Sequence, residues 1–153
     1  MFERLQQDLT PQQASNVDRR IWLLWLHSED ETVNRLMAQG MIAMRRGVLD
    51  QALQRFDAII AHAPDFAEGW NKRATVLYMM GRHHESVADV QHVLNLEPRH
   101  YGALSGLGMI LIALGREEEA LAWLHRALEL NPYLDEVRLM VDQIGERLKG
   151  KRI

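Results

Sequence analysis

Cysteine is absent from this chain of 153 residues, which excludes disulfides, thiolate metal sites and thiol nucleophiles and fits the cytosol and a cysteine-free periplasmic protein equally. Long apolar runs are missing as well. None exceeds six residues, as in Ile21 to Leu26, where a membrane-spanning helix needs roughly 20 and a signal-peptide core about 7 to 15. The opening MFERLQQDL carries no basic leader ahead of an apolar stretch, so a cytoplasmic protein is expected, or a periplasmic one if a leader was removed. Nor is there an excess of positive charge: 18 Lys and Arg against 21 Asp and Glu leave −3 at neutral pH. Such a balance offers no field for phosphate backbones or anionic lipid, so neither nucleic acid nor membrane is expected as a partner. Apolar residues at 47% and charged ones at 25% exclude a disordered tail and allow one packed core, and the length suits one domain.

The few prolines are regularly placed. Besides Pro11 there are Pro64, Pro98 and Pro132, which stand 34 residues apart and divide the chain into blocks at 33–66, 67–100 and 101–134. Superposed, the blocks align Leu36, Trp70 and Leu104, then small Gly40, Ala74 and Gly108, then Gly47, Gly81 and Gly115. Ala52, Ser86 and Ala120 follow, and large apolar Phe56, Val90 and Leu124 come after them. A helical pattern runs from each block start to about Met44 or its counterpart, and the recurring glycine sits where a chain leaving a helix wants a positive φ. The stripe Ala52, Leu53, Phe56, Ile59 and Ile60 marks a second helix, ended by the proline, which removes a donor and turns its predecessor away from helical dihedrals. Small residues on both helices let the two backbones cross closely. Neither pair can bury its stripe alone, so the blocks must stack.

These residues resemble the tetratricopeptide repeat family, a 34-residue helix-turn-helix unit with a large residue, Leu-Gly, an aromatic, Ala, a large apolar residue, Ala and Pro at fixed offsets. Trp70, Leu107-Gly108, the three turn glycines and the three terminal prolines carry the match, which covers 102 of the 153 residues. The chain departs from the pattern at Ala43, Leu77 and Leu111, where the family often has tyrosine, and at Ile59 and Val93, where a second alanine is usual. The resemblance implies an all-α fold: a right-handed α-α superhelix, or solenoid, of three repeats, with an N-terminal helical segment over 1–32 and a capping helix and basic tail over 135–153. In the C-terminal segment Val137, Met140, Val141, Ile144 and Leu148 form an apolar stripe, and Lys149, Lys151 and Arg152 follow as solvated charge at a helix C-terminus.

Ahead of the repeats, Thr10-Pro11 starts a helix running to about His27, and Ser28 with Glu31 is expected to cap the next one as a capping box. Within the first helix, Ile21-Trp22-Leu23-Leu24-Trp25-Leu26 is apolar on every side and must be covered. The cover is either the chain's own groove and N-terminal turn (Phe2, Leu5, Leu9) or a second copy, which makes Trp22 and Trp25 candidate self-association residues for a homodimer.

Chemistry finds little purchase. His83 and His84 are adjacent and read as turn residues, while His27, His62, His92, His100 and His125 are scattered and read as surface or helix-end groups, so no metal or other cofactor is expected. Gly102, Gly106 and Gly108 fall inside a helix and form no phosphate loop. No catalytic constellation is present, and an enzyme is not expected.

The family resemblance implies that the first helix of each block lines a concave groove, with side chains at its second, fifth, ninth and twelfth positions. Here these are Asn34, Met37, Met41 and Met44; Glu68, Asn71, Thr75 and Tyr78; Gly102, Ser105, Met109 and Ile112. Some family members hold a peptide's terminal carboxylate with Lys, Asn and Arg at such positions. Met37 and Met41 stand here instead of the first two, so that clamp is not carried over. The methionines with Tyr78 and Ile112, interleaved with Asn34, Asn71, Thr75 and Ser105, suit adaptable recognition of a peptide or an amphipathic helix of a partner protein. Arg45 and Lys72 lie at the rim, where they can meet an acidic partner or remain solvated. Two alternatives stay open: the chain's own N-terminal helix fills the groove, or the chain is a self-assembling scaffold.

Overall fold

A computed structural model describes residues 1–151; Arg152, read above as part of a basic tail, lies outside them. Among the described residues there is no strand. A 3-10 turn, Phe2–Gln6, precedes eight α-helices: α1 Pro11–Leu26, α2 Glu31–Arg45, α3 Leu49–His62, α4 Ala67–Met79, α5 His83–Leu96, α6 Tyr101–Ala113, α7 Glu117–Leu130 and α8 Asp135–Lys151.

The recurring punctuation of the sequence places these boundaries. Gly47, Gly81 and Gly115, between the helices of each pair, take φ of 74°, 77° and 75°, the left-handed region that a Cβ disfavours. Helices α3, α5 and α7 stop two residues ahead of their prolines, and Ala63, Glu97 and Asn131 swing to φ of −139°, −138° and −134°, as a pre-proline residue must. At α1, Gln13 N donates to Thr10 Oγ1 at 3.2 Å while Thr10 N donates to Gln13 Oε1 at 2.9 Å, a reciprocal box around Pro11.

Helix α2 starts differently from expectation. Asp30, not Ser28, is its cap: the carboxylate accepts from Thr32 N at 2.8 Å and Val33 N at 3.4 Å, and Ser28 Oγ accepts from Asp30 N at 3.1 Å. An ionised oxygen is the stronger acceptor for the first free amides of a helix, so the hydroxyl is left to shape the preceding turn. His83 and His84 likewise belong to the first turn of α5 rather than to a loop. His100 is a helix-end group, as expected, and is fully buried there, its Nδ1 capping α6 by accepting from Ala103 N at 3.0 Å.

Two compact units result, one of Ile21–Pro98 and one of Met1–Arg20 with the chain from Arg99 onward, the division falling within α1. In the first, α2 packs on α3, α3 on α4 and α4 on α5, around Val33, Met37, Ala43, Ala52, Phe56, Ile59 and Val76. Gly40 faces Phe56 at the α2–α3 crossing. At the corresponding α4–α5 crossing the smallest pair is Ala74 and Ser86, and the Ser86 hydroxyl donates to Ala74 O at 2.6 Å, which satisfies a fully buried polar side chain. In the second unit α6 packs on α7 and α7 on α8. Val137 and Ile144 of α8 bury against Leu124, with Ile112, Met140, Val141 and Leu148 around them.

Candidate functional site

The side chains singled out on the first helices differ sharply in access, and helical position decides which stay open. At the early positions most are used internally. Met37 is 4% exposed and belongs to the core between α2 and α3. Asn34 staples the loop before its helix, accepting from Ser28 N at 3.0 Å and donating to Ser28 O at 2.7 Å. Asn71 is buried and donates to the Glu68 carboxylate at 2.8 Å. Near the helix ends access returns. Met41 and Met44 are half-buried against the same core, Thr75 is exposed with its hydroxyl donating to Asn71 O at 3.1 Å, and Tyr78 is half-buried beside the His83 ring.

On α6 of the other unit, Ser105 is half-buried and donates to Tyr101 O at 2.9 Å, Ile112 packs toward Leu124, and Met109 is 41% exposed. Thus the ninth and twelfth positions of the three blocks, on α2, α4 and α6, all retain accessible surface, and all but Thr75 are apolar or aromatic.

The apolar run of α1 is only partly covered. Ile21 is 2% exposed, Leu26 packs on the core of the first hairpin, and Trp22 and Trp25 are half-buried, their rings edge to face at 5.0 Å. Leu23 and Leu24 remain 60% exposed each, so a helix apolar on every side still shows one side to solvent. Lys72 is not a free rim cation. Its ammonium lies 5.5 Å from the Trp22 ring centroid and 3.7 Å from the wholly buried Glu68 carboxylate, whereas Arg45 is exposed.

Sequence reasoning missed two polar clusters. In the first unit Arg73 donates to Asp89 through Nε at 2.8 Å and Nη2 at 2.9 Å, and through Nη1 to Asp57 at 3.0 Å. The hydrogen bonds to Asp89 are the main reason its guanidinium is held above the ordinary range, with burial opposing. Trp70 extends this cluster, its ring 5.1 Å from the Arg73 guanidinium and stacked on His92 at 3.9 Å. In the second unit the Tyr101 hydroxyl donates to Asp18 Oδ1, and Asn131 Nδ2 approaches the same oxygen at 3.4 Å. Burial, then the Asp18 hydrogen bond, pushes the Tyr101 phenol up. The signals were weak: Asp18 reads as one more polar residue on an amphipathic helix, and Tyr101 as a block's first residue. Among the described residues no group of three or more His, Asp or Glu is disposed to hold a metal ion, and no helix is long and apolar enough to cross a membrane.

Hairpins of this length, with a left-handed glycine at each turn and a proline after each second helix, define an α-helical repeat protein. A family model described as tetratricopeptide repeat matches residues 37–91 and 72–135, and the chain belongs to the tetratricopeptide repeat family. A TPR repeat-containing protein of Rhizobium etli is 38% identical over 152 residues, 99% of this chain and 74% of that protein. Tetratricopeptide repeat protein 36 of Danio rerio is 27% identical over 137 residues, 79% of this chain and 73% of its own. Among solved structures, the Sgt2 TPR domain from Aspergillus fumigatus matches with TM-score 0.76 at 18% identity, over 80% of this chain and 83% of that chain. The first TPR domain of Spaghetti (RPAP3), bound to the HSP90 peptide SRMEEVD, matches with TM-score 0.75 at 22% identity, over 81% of this chain and 98% of that chain. At such identities the structural likeness speaks for the fold.

Proposed function

We propose that this chain is a non-enzymatic protein-interaction module that receives a peptide or amphipathic helix of a partner protein on the late positions of α2 and α4. The observation that carries the reading is the apolar and aromatic surface that half-buried Met41, Met44 and Tyr78 keep beside exposed Thr75, while Met109 and Ile112 keep the same character on α6 of the other unit. Thioether side chains re-pack at little cost, which suits a partner recognised by shape and apolarity rather than by charge. Met37, Asn34 and Asn71 support this surface from beneath, since their side chains are committed to the core, the α1–α2 loop and Glu68. Peptide binding by the RPAP3 relative supports the class of ligand, although Met37 and Met41 leave no lysine and asparagine to grip a terminal carboxylate.

The test is affinity capture of the partner from the source cell, followed by titration of the purified partner against the wild-type chain and a Thr75→Glu, Tyr78→Ala double variant. At least a tenfold loss of affinity with an unchanged melting temperature is expected. Unchanged affinity removes this surface from the reading.

A second reading is favoured by Leu23 and Leu24, which stay exposed beside half-buried Trp22 and Trp25: this segment of α1 docks on a second copy of the chain. Sedimentation at micromolar concentration decides it, since a strict monomer is incompatible with self-assembly.

A further inference from the structure

The unit built from the chain's two ends contains an interaction surface that is already occupied. The 3-10 turn contacts α7, Asp18 of α1 reaches Tyr101 and Asn131, and Leu5, Ala14 and Val17 are buried. The polar contacts are directional. Gln6 Nε2 donates to the last carbonyls of α7, Glu129 O and Leu130 O, at 3.0 Å each, groups that a helix end leaves without intrahelical partners. Tyr133 clasps the connecting strand of chain, its hydroxyl donating to Gln7 O and accepting from Leu9 N at 2.8 Å. Phe2 sits edge-on to the Tyr101 ring and under the Arg99 guanidinium, 4.3 Å from its ring centroid. Asp18 is the one acid of the segment that meets buried donors, Tyr101 Oη and Asn131 Nδ2, both on residues 1% exposed.

We infer that the surface formed by the start of α6 and the end of α7 is a receptor for an amphipathic helix that presents a carboxylate to Tyr101 and Asn131, and that the first part of α1, through Asp18, occupies it as a built-in competitor. The inference rests on the reading of the chain as an interaction module but not on the methionine-bearing positions. Three features support exchange rather than permanent docking. Half of the segment's hydrogen bonds to the rest of the unit lie at exposed groups, where each contributes only about 1 kcal/mol. The seam between the segment and the residues that follow α7 holds a cleft of about 340 Å³ lined by Leu9, Pro11, Ala14, Asp18, Asn131 and Tyr133 among others. Finally, the buried donors read a carboxylate, a feature that an incoming helix can present just as well. A tethered segment acts at an effective concentration of about millimolar, so it masks the face until a better helix arrives or the segment is weakened.

The probe is a fluorescent peptide of residues 1–26, titrated against the full chain as wild type, Asp18→Asn and Tyr101→Phe. Asp18→Asn weakens the built-in competitor without changing its volume, so this variant should bind the peptide about tenfold more tightly than the wild type does, given the strength of a charge-assisted hydrogen bond. A peptide carrying Asn at position 18 should bind the same variant about tenfold more weakly than the Asp peptide. Tyr101→Phe should narrow the difference between the two peptides. Equal binding of the peptide by wild type and Asp18→Asn, or equal affinity of the Asp and Asn peptides, overturns the proposal. Hydrogen exchange on Asp18→Asn separates opening from unfolding: amides 12–20 should lose protection while α6 and α7 keep theirs, and loss of protection in all three overturns it too. Because the probe is the chain's own sequence, failure here leaves the Thr75→Glu, Tyr78→Ala result standing, and the reverse holds.

Discussion

Gly40 and Phe56 meet so closely that a methyl group does not fit between them: a Cβ on Gly40 would stand 2.5 Å from Phe56 Cε1. The same relationship recurs between Gly108 and Leu124, where the distance would be 2.4 Å to Cδ2. Both large side chains are fully buried and must shift within a packed core, so Gly40→Ala and Gly108→Ala should each destabilise by about 1–3 kcal/mol despite the better helix propensity of alanine. Gly106, also helical, has nothing within 4 Å of its Cβ position, and Gly106→Ala should stabilise by about 0.5–1 kcal/mol. Urea denaturation of the three variants decides it; equal effects at Gly106 and Gly108 would show that helix crossing has no part in the cost.

Those pairs were legible in the sequence because the small residue and its large opposite number recur at one spacing, and periodicity is what a repeat fold writes most clearly. Single-copy features were less legible. Ser28 and Asp30 are both good caps, and the choice between them depended on where α2 starts, a difference of two residues. The partners of Asp18, namely Tyr101 and Asn131, lie 83 and 113 residues further along, and no local pattern announces a contact at such range. Of the candidate site, the late positions on the first helices followed from the family resemblance. The loss of Met37 to the core did not, because a methionine facing a groove and one facing a neighbouring helix look alike in sequence.

Backbone conformation alone sets the cost at the turn between α4 and α5. Gly81 has φ of +77° and open space around its Cβ position, so Gly81→Ala clashes with nothing and yet forces alanine into the left-handed region, at about 1–2 kcal/mol. Gly81→Asn should recover part of the loss, since asparagine tolerates that region better. Thermal melts of the pair test the ranking; equal melting temperatures would contradict it.

The two acids that hold Arg73 are unequal. Asp89 is 5% exposed at its side chain and takes two hydrogen bonds, whereas Asp57 is 52% exposed and takes one. Asp89→Ala strips a mostly buried guanidinium of its main partner and should cost about 2–4 kcal/mol, below the full figure for a buried pair because Arg73 keeps some solvent. Asp57→Ala should cost less than about 1 kcal/mol. A double-mutant cycle with Arg73→Met should place most of the coupling on Asp89. Similar losses for the two single variants would mean that burial is not what separates them.

Alkaline pH supplies an independent test of the Tyr101–Asp18 bond. In the folded chain the Tyr101 phenol is held above its ordinary 10.0, first by burial and then by donation to Asp18; unfolding releases it to titrate normally. Between the ordinary and the raised value the native state therefore binds a proton that the unfolded chain has lost. The contribution is fully present below about pH 10 and declines as pH rises. Relative to Tyr101→Phe, which has no proton to lose, the wild type should forfeit about 1.4 kcal/mol for each pH unit above that point. Lysine and arginine titrations are common to both chains and cancel in the difference. Urea unfolding at pH 8 to 11 gives the comparison: the stability gap between wild type and Tyr101→Phe should hold constant up to about pH 10 and then fall. Parallel curves throughout would mean that the phenol ionises as easily in the folded chain as outside it, and that Asp18 is not held by the buried hydroxyl.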